Sequence, residues 1–276
     1  MEHIVLGFDG TRSAFVAVDW VAERAARSGC QVDLVTVDAA RTSPEGMSEV
    51  AVRDAERRVM DRAPESVVTS RRVAGRMPQA LVQSAKSADL LVIGARRSPG
   101  ARSALSSRLS VRIVAGSPTP TVVVADDWTP SEGSVVVGVD DDDSSSAALG
   151  FAAAEAEAAG VGVTLVHAWQ TPAPTIEGSI ALIASPIEEK STHRRLLERA
   201  FLHISDAYPS ARSTRILVHD TASAALLSAS EGASVLVLGT HHRGRVRRAL
   251  LGSVGREALR LSRVPVCVVP AVAPEA

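Results

Sequence analysis

The chain has 276 residues, of which 46% are hydrophobic and 3% aromatic, and its formal net charge is −1. This length suits one large or two ordinary domains, and the near-neutral charge argues against a general polyanion-binding protein. We expect no membrane span, because no stretch approaches the roughly 18 consecutive apolar residues of a transmembrane helix. The amino-terminal segment has a strand pattern and lacks the organisation of a signal peptide, so the sequence predicts a cytoplasmic protein.

The first half of the chain alternates strand-like and helix-like segments. Short apolar, β-branched runs predict strands near Ile4–Phe8, Val32–Val37, Val67–Val73, Leu90–Ile93 and Thr121–Val124. The intervening segments predict helices near Ala14–Ser28, Met47–Arg62, Pro78–Lys86 and Ser107–Ala115. Ser13 is the predicted N-cap of the first helix, and Gly29 is its predicted C-cap.

The second half repeats the first, with its second helix predicted near Ile187–Ala207. Asp9 matches Asp140 at an offset of 131 residues, and Gly94 matches Gly239 at an offset of 145. The 14 extra residues fall in a segment rich in Pro and small residues, Trp169–Pro186. Self-similarity on this scale predicts two copies of one unit. We therefore expect one domain over 1–126 and another over 133–271, joined by a short polar linker.

Strand and helix alternation with near-continuous apolar strands predicts an α/β fold of two tandem Rossmann-like domains. Each should have a five-stranded parallel sheet, right-handed crossovers and helices on both faces. In such sheets a ligand binds at the carboxyl ends of the strands, where the strand order reverses. Asp9 and Asp140 end the first strands of the two copies, while Gly94 and Gly239 end the fourth strands. These four residues should therefore flank the two switch points.

The residues at these strand ends admit more than one role. Asp9 and Asp140 could each accept hydrogen bonds from a ribose or a base, or could cap the helix that follows. Asp140–Asp143 is an acidic run, for which a solvated loop at a helix N-terminus is favoured over a metal site. Gly252 and Ser253 precede a helix, where backbone N–H groups and a hydroxyl could hold a phosphate.

The spacing of glycines in the second copy resembles that of the universal stress protein family, and the likeness covers both copies. ATP-binding members carry G-x-x-G, nine residues, then G-[S/T]. The chain has Gly239, nine residues from Arg243 to Leu251, and then Gly252 and Ser253, with His242 at the second glycine position. The first copy keeps only Gly94, and Ser107 and Arg108 replace the final pair.

This resemblance implies a fold like that of adenine nucleotide alpha hydrolases and a site for ATP or another adenine nucleotide, favoured in the second copy. The residues that it implies there are Asp140, Ala168, Gly239, His242, Gly252, Ser253 and Val254. Asp9 and Gly94 are their remaining counterparts in the first copy. The resemblance also implies that Thr121–Val124 and Pro265–Val269 are edge strands. Exposed apolar edges need a partner, so the two copies could pair within the chain, or the chain could form a homodimer.

Two kinds of residue leave the nature of the site open. His242 tolerates positive φ better than most residues, so its ring could point out of the pocket or into it. Arginines follow the fourth strand of both copies, and they could clamp phosphate, dock an acidic protein or remain solvated. They do not predict specific nucleic-acid binding, since no recognition helix or aromatic platform accompanies them. Six of the seven histidines fall in the second copy, without a spacing that predicts a metal site.

The leading hypothesis is a non-enzymatic stress-response protein that senses or sequesters an adenine nucleotide or contacts an unidentified protein partner. One alternative is an interaction module whose two pockets are filled by side chains. Another is a slow ATPase or nucleotide-dependent transferase, for which Asp140 is the one attractive general base. No nucleophile elbow or catalytic triad stands out in the sequence.

Overall fold

A computed structural model of the chain describes residues 1–38, 48–97, 101–141, 144–171, 186–240 and 251–271. Within these ranges, the side chains of residues 101–107, 144 and 186 are not described. The described residues form two halves with the same order of elements, and each half has five strands and four helices among these residues.

The first half contains the predicted elements in the predicted order. Its strands are β1 (Glu2–Gly7), β2 (Cys30–Asp38), β3 (Val67–Ala74), β4 (Leu90–Ala95) and β5 (Thr121–Ala125). Its helices are α1 (Arg12–Ala25), α2 (Glu49–Arg62), α3 (Gln79–Ser84) and α4 (Ala101–Gly116).

The second half repeats these elements. Its strands are β6 (Val135–Gly138), β7 (Val163–Trp169), β8 (Ser213–His219), β9 (Val235–Gly239) and β10 (Val266–Val269). Its helices are α5 (Ser144–Ala159), α6 (Pro186–Ala207), α7 (Ala222–Ala229) and α8 (Ser253–Leu261).

All ten strands form one continuous sheet in the order β3-β2-β1-β4-β5-β10-β9-β6-β7-β8. Strands within each half are parallel, whereas β5 and β10 pair antiparallel and join the halves. The predicted α/β fold is confirmed, and the two edge strands pair with each other inside the chain. The strand order reverses between β1 and β4 and again between β6 and β9, which places two switch points in the molecule.

Helices cover both faces of the sheet, as predicted. One face packs against α1, α2, α5 and α6, and its buried residues form one apolar cluster that runs through both halves. The other face packs against α3, α4, α7 and α8 around a second cluster. Both cysteines, Cys30 and Cys267, are buried free thiols, in keeping with the apolar runs that contain them.

Two helix starts differ from the predictions. The N-cap of α1 is Thr11, whose hydroxyl oxygen accepts from the backbone N–H of Ala14, whereas Ser13 lies in the first turn. Both residues are good caps, and neighbouring hydrogen bonds decide between them. Helix α4 begins at Ala101 rather than near Ser107. In the part of the chain that the structure describes, no helix is both long enough and apolar enough to cross a bilayer.

Candidate functional site

A cleft of about 440 Å³ opens at the carboxyl end of the first half, at the switch point between β1 and β4. Its apolar lining includes Val35 and Val37 of β2, Leu81 of α3 and Ile93 of β4. Polar residues also line the cleft, and they are Asp9, Thr11, Ser13, Thr36, Arg96 and Ser110. A cavity of this size with a few polar groups suits a small organic ligand. The first half therefore keeps a cleft although its glycine motif is nearly gone.

Asp9 organises the loop at the mouth of this cleft. One oxygen of its exposed carboxylate accepts from the backbone N–H of Thr11 at 3.0 Å and from the Thr11 hydroxyl at 2.6 Å. Because Thr11 gives its proton to Asp9, the Ser13 hydroxyl, 3.0 Å away, donates to Thr11. Asp9 thus supports the N-cap of α1 indirectly, and the same residue lines the cleft, where the predicted ligand contact would be made.

Gly94, at the end of β4, is explained by packing. A Cβ atom there would lie 2.0 Å from the carbonyl oxygen of Ser13 and 2.8 Å from the backbone nitrogen of Ala14. Both atoms belong to the backbone, so they cannot move aside as a flexible side chain would. The last remaining motif glycine of the first half thus has a structural role, because it lets β4 approach the start of α1.

In the first half, Ser107 and Arg108 do not form the predicted phosphate end of the site. Ser107 and Arg108 lie inside α4, more than one turn beyond its start at Ala101. Their backbone N–H groups therefore point along a helix that has already begun, and they are not among the free donors of a first turn. The prediction that a helix begins near Ser107 was wrong, and this correction removes the anion-binding feature of the motif.

Arg97 occupies the position that corresponds to His242 at the offset of 145. Its backbone N–H donates to the carboxylate of Asp126 at 3.0 Å, and its guanidinium pairs with Asp127 at 3.1 Å. The side chain thus reaches the end of the first domain, and Arg97 is absent from the lining of the 440 Å³ cleft. A side chain at this motif position is therefore compatible with an open cleft. His242 itself lies outside the described residues.

In the second half, Asp140 follows β6 and is exposed. Its backbone N–H donates to the Ser145 hydroxyl oxygen at 2.9 Å, and that hydroxyl donates back to the Asp140 carbonyl oxygen at 3.0 Å. Its carboxylate accepts from the backbone N–H of Asp141 at 2.9 Å. Ser145 therefore fixes the backbone at the end of β6, while the carboxylate of Asp140 remains at the surface.

The structure brings several other predicted residues to the carboxyl edge around the second switch point. Gly239 is the last residue of β9, which pairs with β6 on one side and with β10 on the other. Ala168, near the end of β7, and Val254, in α8, both pack against the apolar cluster on the same face of the sheet. The next residue, Thr240, is buried, and its hydroxyl oxygen accepts from the backbone N–H of Ala271 at 3.1 Å.

Helix α8 begins at Ser253, which was predicted to precede the helix. Its N-cap is Gly252, which has extended backbone angles and no side chain with which to cap the helix. Ser253, the first helical residue, is exposed, and Val254 is half-buried. The first N–H groups of a helix have no partners within the helix, so this turn presents backbone donors and a hydroxyl to an anion.

A cluster of imidazole and indole rings at the end of β7 was not predicted. The Nδ1 atom of buried His167 lies 2.8 Å from the carbonyl oxygen of Val139, so Nδ1 carries the proton and donates. The Nε2 atom of His167 then accepts from Nδ1 of His193 in α6, also at 2.8 Å. Trp169 stacks on His193 at 5.3 Å, and His219 lies 4.3 Å from the same indole.

His167 has a counterpart in the first half that explains its position. At the offset of 131 it corresponds to Thr36, whose hydroxyl donates to the carbonyl oxygen of Phe8 at 3.2 Å. Phe8 and Val139 are themselves equivalent, so both halves tie the second strand to the residue after the first. Burial and the neighbouring His167 hold the pKa of His193 below its usual value, although Glu189 and Asp140 oppose the shift.

Comparison with known proteins agrees with the repeat and with the fold. The model of the universal stress protein family matches residues 1–125 and again residues 133–270. Universal stress protein Rv2623 of Mycobacterium tuberculosis is 27% identical over an alignment 290 residues long, gaps included, which covers 96% of this chain and 95% of that protein.

Solved structures show the same arrangement of the fold. The crystal structure of a universal stress protein from Archaeoglobus fulgidus superposes with a TM-score of 0.70 at 13% identity, covering 98% of both chains. A putative universal stress protein from Pseudomonas aeruginosa gives a TM-score of 0.65 at 15% identity, covering 98% of this chain and 93% of that one. At these identities the likeness concerns the fold alone.

Proposed function

Because this chain belongs to the universal stress protein family, we propose that it is a non-enzymatic stress-response protein whose second half binds an adenine nucleotide such as ATP. In this proposal the base and ribose lie at the carboxyl edge near Ala168 and Asp140, and the phosphates lie at the start of α8. The stress role rests on membership of the family. The ligand and its position rest on the geometry of the second half.

The observation that carries the proposal is the start of α8. Gly252 ends the preceding loop in an extended conformation, and the helix starts with Ser253. Backbone N–H groups of the first turn and the helix dipole together favour a bound anion. Gly239 and Gly252 keep the spacing of the motif, which supports the assignment of this anion as a nucleotide phosphate.

His242 is compatible with this assignment. In the first half the equivalent Arg97 reaches Asp126 and Asp127 and leaves the cleft open. We infer from Arg97 that a side chain at this motif position need not close the pocket. Glycine at this motif position is then not required for binding.

Calorimetric titration of the full chain with ATP, ADP and AMP tests the proposal, with Gly252→Arg as the diagnostic variant. A long side chain at the N-cap would fill the space in front of the first turn, so we expect at least a tenfold loss of ATP affinity, which corresponds to about 1.4 kcal/mol. Ser107→Arg, at the equivalent position of the first half, is the matched control and should bind as the unmodified chain does. Equal binding by both variants, or no heat of binding with millimolar nucleotide, would refute the proposal.

A second candidate function belongs to the first half. Its cleft of about 440 Å³ is largely apolar and has Asp9 and Ser13 at its mouth, but no helix starts beside it at Ser107. This combination favours a ligand without phosphate, such as a nucleoside. The cleft also disfavours the alternative in which side chains fill both pockets, as far as the first half is concerned.

A further inference from the structure

A buried ion pair connects the two halves beneath the joined sheet. The guanidinium of Arg24, in α1, pairs with the carboxylate of Glu155, in α5. The side chain of Arg24 is 13% exposed and that of Glu155 is 6% exposed. Arg24 also makes a fork of two hydrogen bonds with Glu2, each 2.9 Å long, and Glu155 accepts from Arg27 at 2.9 Å. Four charged groups thus form one alternating network across the boundary.

The position of this pair follows from the pseudo-twofold symmetry of the chain. Strands β5 and β10 pair antiparallel with Val122 opposite Cys267, and these residues are equivalent at the offset of 145. The pseudo-twofold axis therefore passes between them. Arg24 and Glu155 are also equivalent, at the offset of 131 that applies earlier in the two copies. The axis relates the arginine of one half to the glutamate of the other.

Because Arg24 and Glu155 are equivalent positions that meet at the pseudo-twofold axis, their charges affect which domain can pair with which. In a true twofold pair of identical domains, a residue at this position meets its own copy. Two first halves would place Arg24 against Arg24, and two second halves would place Glu155 against Glu155. Like charges brought together at an interface are strongly unfavourable, and more so where they are buried. Opposite charges occur only when a first half meets a second half.

We propose that the Arg24–Glu155 pair selects the partner of each half, so that a first half pairs with a second half and not with another first half. The surface formed by α1 and β5 therefore fits a domain that has an acidic side chain at the position of Glu155, as the second half does. The joined edges β5 and β10 are alike in being short and apolar, so their backbone hydrogen bonds do not discriminate between partners. The charges supply the discrimination that the strands lack.

The protonation behaviour of both groups supports this role. Burial by itself would raise the pKa of Glu155, but Arg24 and Arg27 outweigh it and hold that pKa below its usual value. Burial likewise would lower the pKa of Arg24, and Glu155 and Glu2 reverse the direction. Opposite charges thus shift both pKa values toward the charged forms, and a like-charged partner would act in the other direction.

A charge-reversal cycle in the full chain tests the proposal. Glu2→Gln and Arg27→Gln are introduced first, because those residues would otherwise oppose the reversed charges. In this background, Arg24→Glu and Glu155→Arg should each lower the melting temperature by at least about 5 °C, since each leaves two buried like charges. The double reversal restores opposite signs and should recover at least half of the combined loss.

The exposed pair Arg62–Glu23, between α2 and α1, is the matched control, with side chains that are 58% and 34% exposed. Its reversal should shift the melting temperature by no more than about 2 °C. If a single-reversal variant does not fold and the double-reversal variant does, this result also supports the proposal. A double reversal as unstable as the two single reversals combined, or one that does not fold, would overturn it.

Partner choice itself is measured with a lengthened linker. About twelve Gly and Ser residues inserted between the exposed residues Thr129 and Pro130 allow halves to pair between chains. With this linker and in the same Glu2→Gln, Arg27→Gln background, the Arg24→Glu chain co-expressed with the Glu155→Arg chain should form a complex of about twice the 28.8 kDa chain mass. The unreversed chain with the same linker should remain at the single-chain mass. Co-expressed chains that also remain at the single-chain mass would overturn the proposal.

Discussion

The last helices of the two halves, α4 and α8, occupy equivalent places but start at different points. Helix α8 starts directly after Gly252, whereas the equivalent Ser107 lies inside α4, which began at Ala101. Glycine is a poor residue for a helix interior and a good one at its boundary, while serine followed by arginine is compatible with a continuing helix. The replacement of Gly252 by Ser107 therefore accompanies the presence or absence of a helix start at this position. Two halves with the same strand order can thus differ in anion binding.

The largest expected effect concerns the glycine that both halves keep at the end of the fourth strand. Gly94→Ala should destabilise the chain by about 3 kcal/mol, because the new Cβ atom would clash with the backbone carbonyl of Ser13. Chemical denaturation with far-ultraviolet circular dichroism measures this loss. Gly116→Ala is the control, since its Cβ atom would meet only Val82, at 4.0 Å. A loss below about 1 kcal/mol in Gly94→Ala would show that packing does not explain this glycine.

Substitutions at equivalent positions of β2 and β7 test whether the two halves bind different ligands. Ala168→Phe, in the second half, should weaken ATP binding at least tenfold, about 1.4 kcal/mol, because the ring would occupy the proposed base site. Val37→Phe, at the equivalent position, should leave ATP affinity unchanged and reduce any binding of adenosine in the first-half cleft. Calorimetric titration of both variants with both ligands separates the two clefts. The reverse pattern would place the nucleotide in the first half.

The smallest expected effect is a pH dependence of stability that arises from the pair of His167 and His193. The first half has Thr36 at the position of His167 and should not contribute in this way. The pKa of His193 is lower in the folded protein than its usual value, so folding favours the neutral ring. Its contribution to stability is complete above the unfolded pKa, about 6.5, and is lost as the pH falls through the folded pKa. The free energy of unfolding should therefore drop between pH 7.5 and pH 5 because the unfolded state binds this proton more tightly.

His193→Gln should show a smaller drop over the same pH interval, as measured by urea denaturation at several pH values. His203→Gln, which changes an exposed histidine of the same helix, should retain the drop of the unmodified chain. An identical pH dependence in all three proteins would mean that the histidine pair does not bind protons differently in the folded and unfolded states.

The fold could be predicted because its signals are local and repeated. Apolar runs of β-branched residues mark the strands in both halves, and the offsets of 131 and 145 align Asp9 with Asp140 and Gly94 with Gly239. Pairing of the two last strands within the chain was one of the two alternatives that their apolar edges left open. The helix boundary at Gly252 and Ser253 was predicted to within one residue, because glycine is a strong signal for a helix boundary.

The features that escaped prediction depend on contacts between distant residues. Thr11 and Ser13 are equally good caps in the sequence, and the hydrogen bond from Thr11 to Asp9 decides between them. The bond from His167 to Val139 joins two strands, and Arg24 meets Glu155 only because both lie near the pseudo-twofold axis. Neither pattern has a local periodicity that could indicate it. The start of α4 was predicted near Ser107, which corresponds to Gly252 at the offset of 145. Ser107 does not interrupt a helix as glycine does, so α4 begins earlier, at Ala101.

Hydrogen–deuterium exchange of the full chain with and without ATP tests the central difference between the halves most directly. Backbone N–H groups in the first turn of α8 have no helical acceptors and should exchange rapidly without a ligand. We predict that ATP slows exchange at residues 253–255 and leaves residues 107–109, which lie inside α4, unchanged. ATP-dependent protection at 107–109 without any at 253–255 would contradict the account.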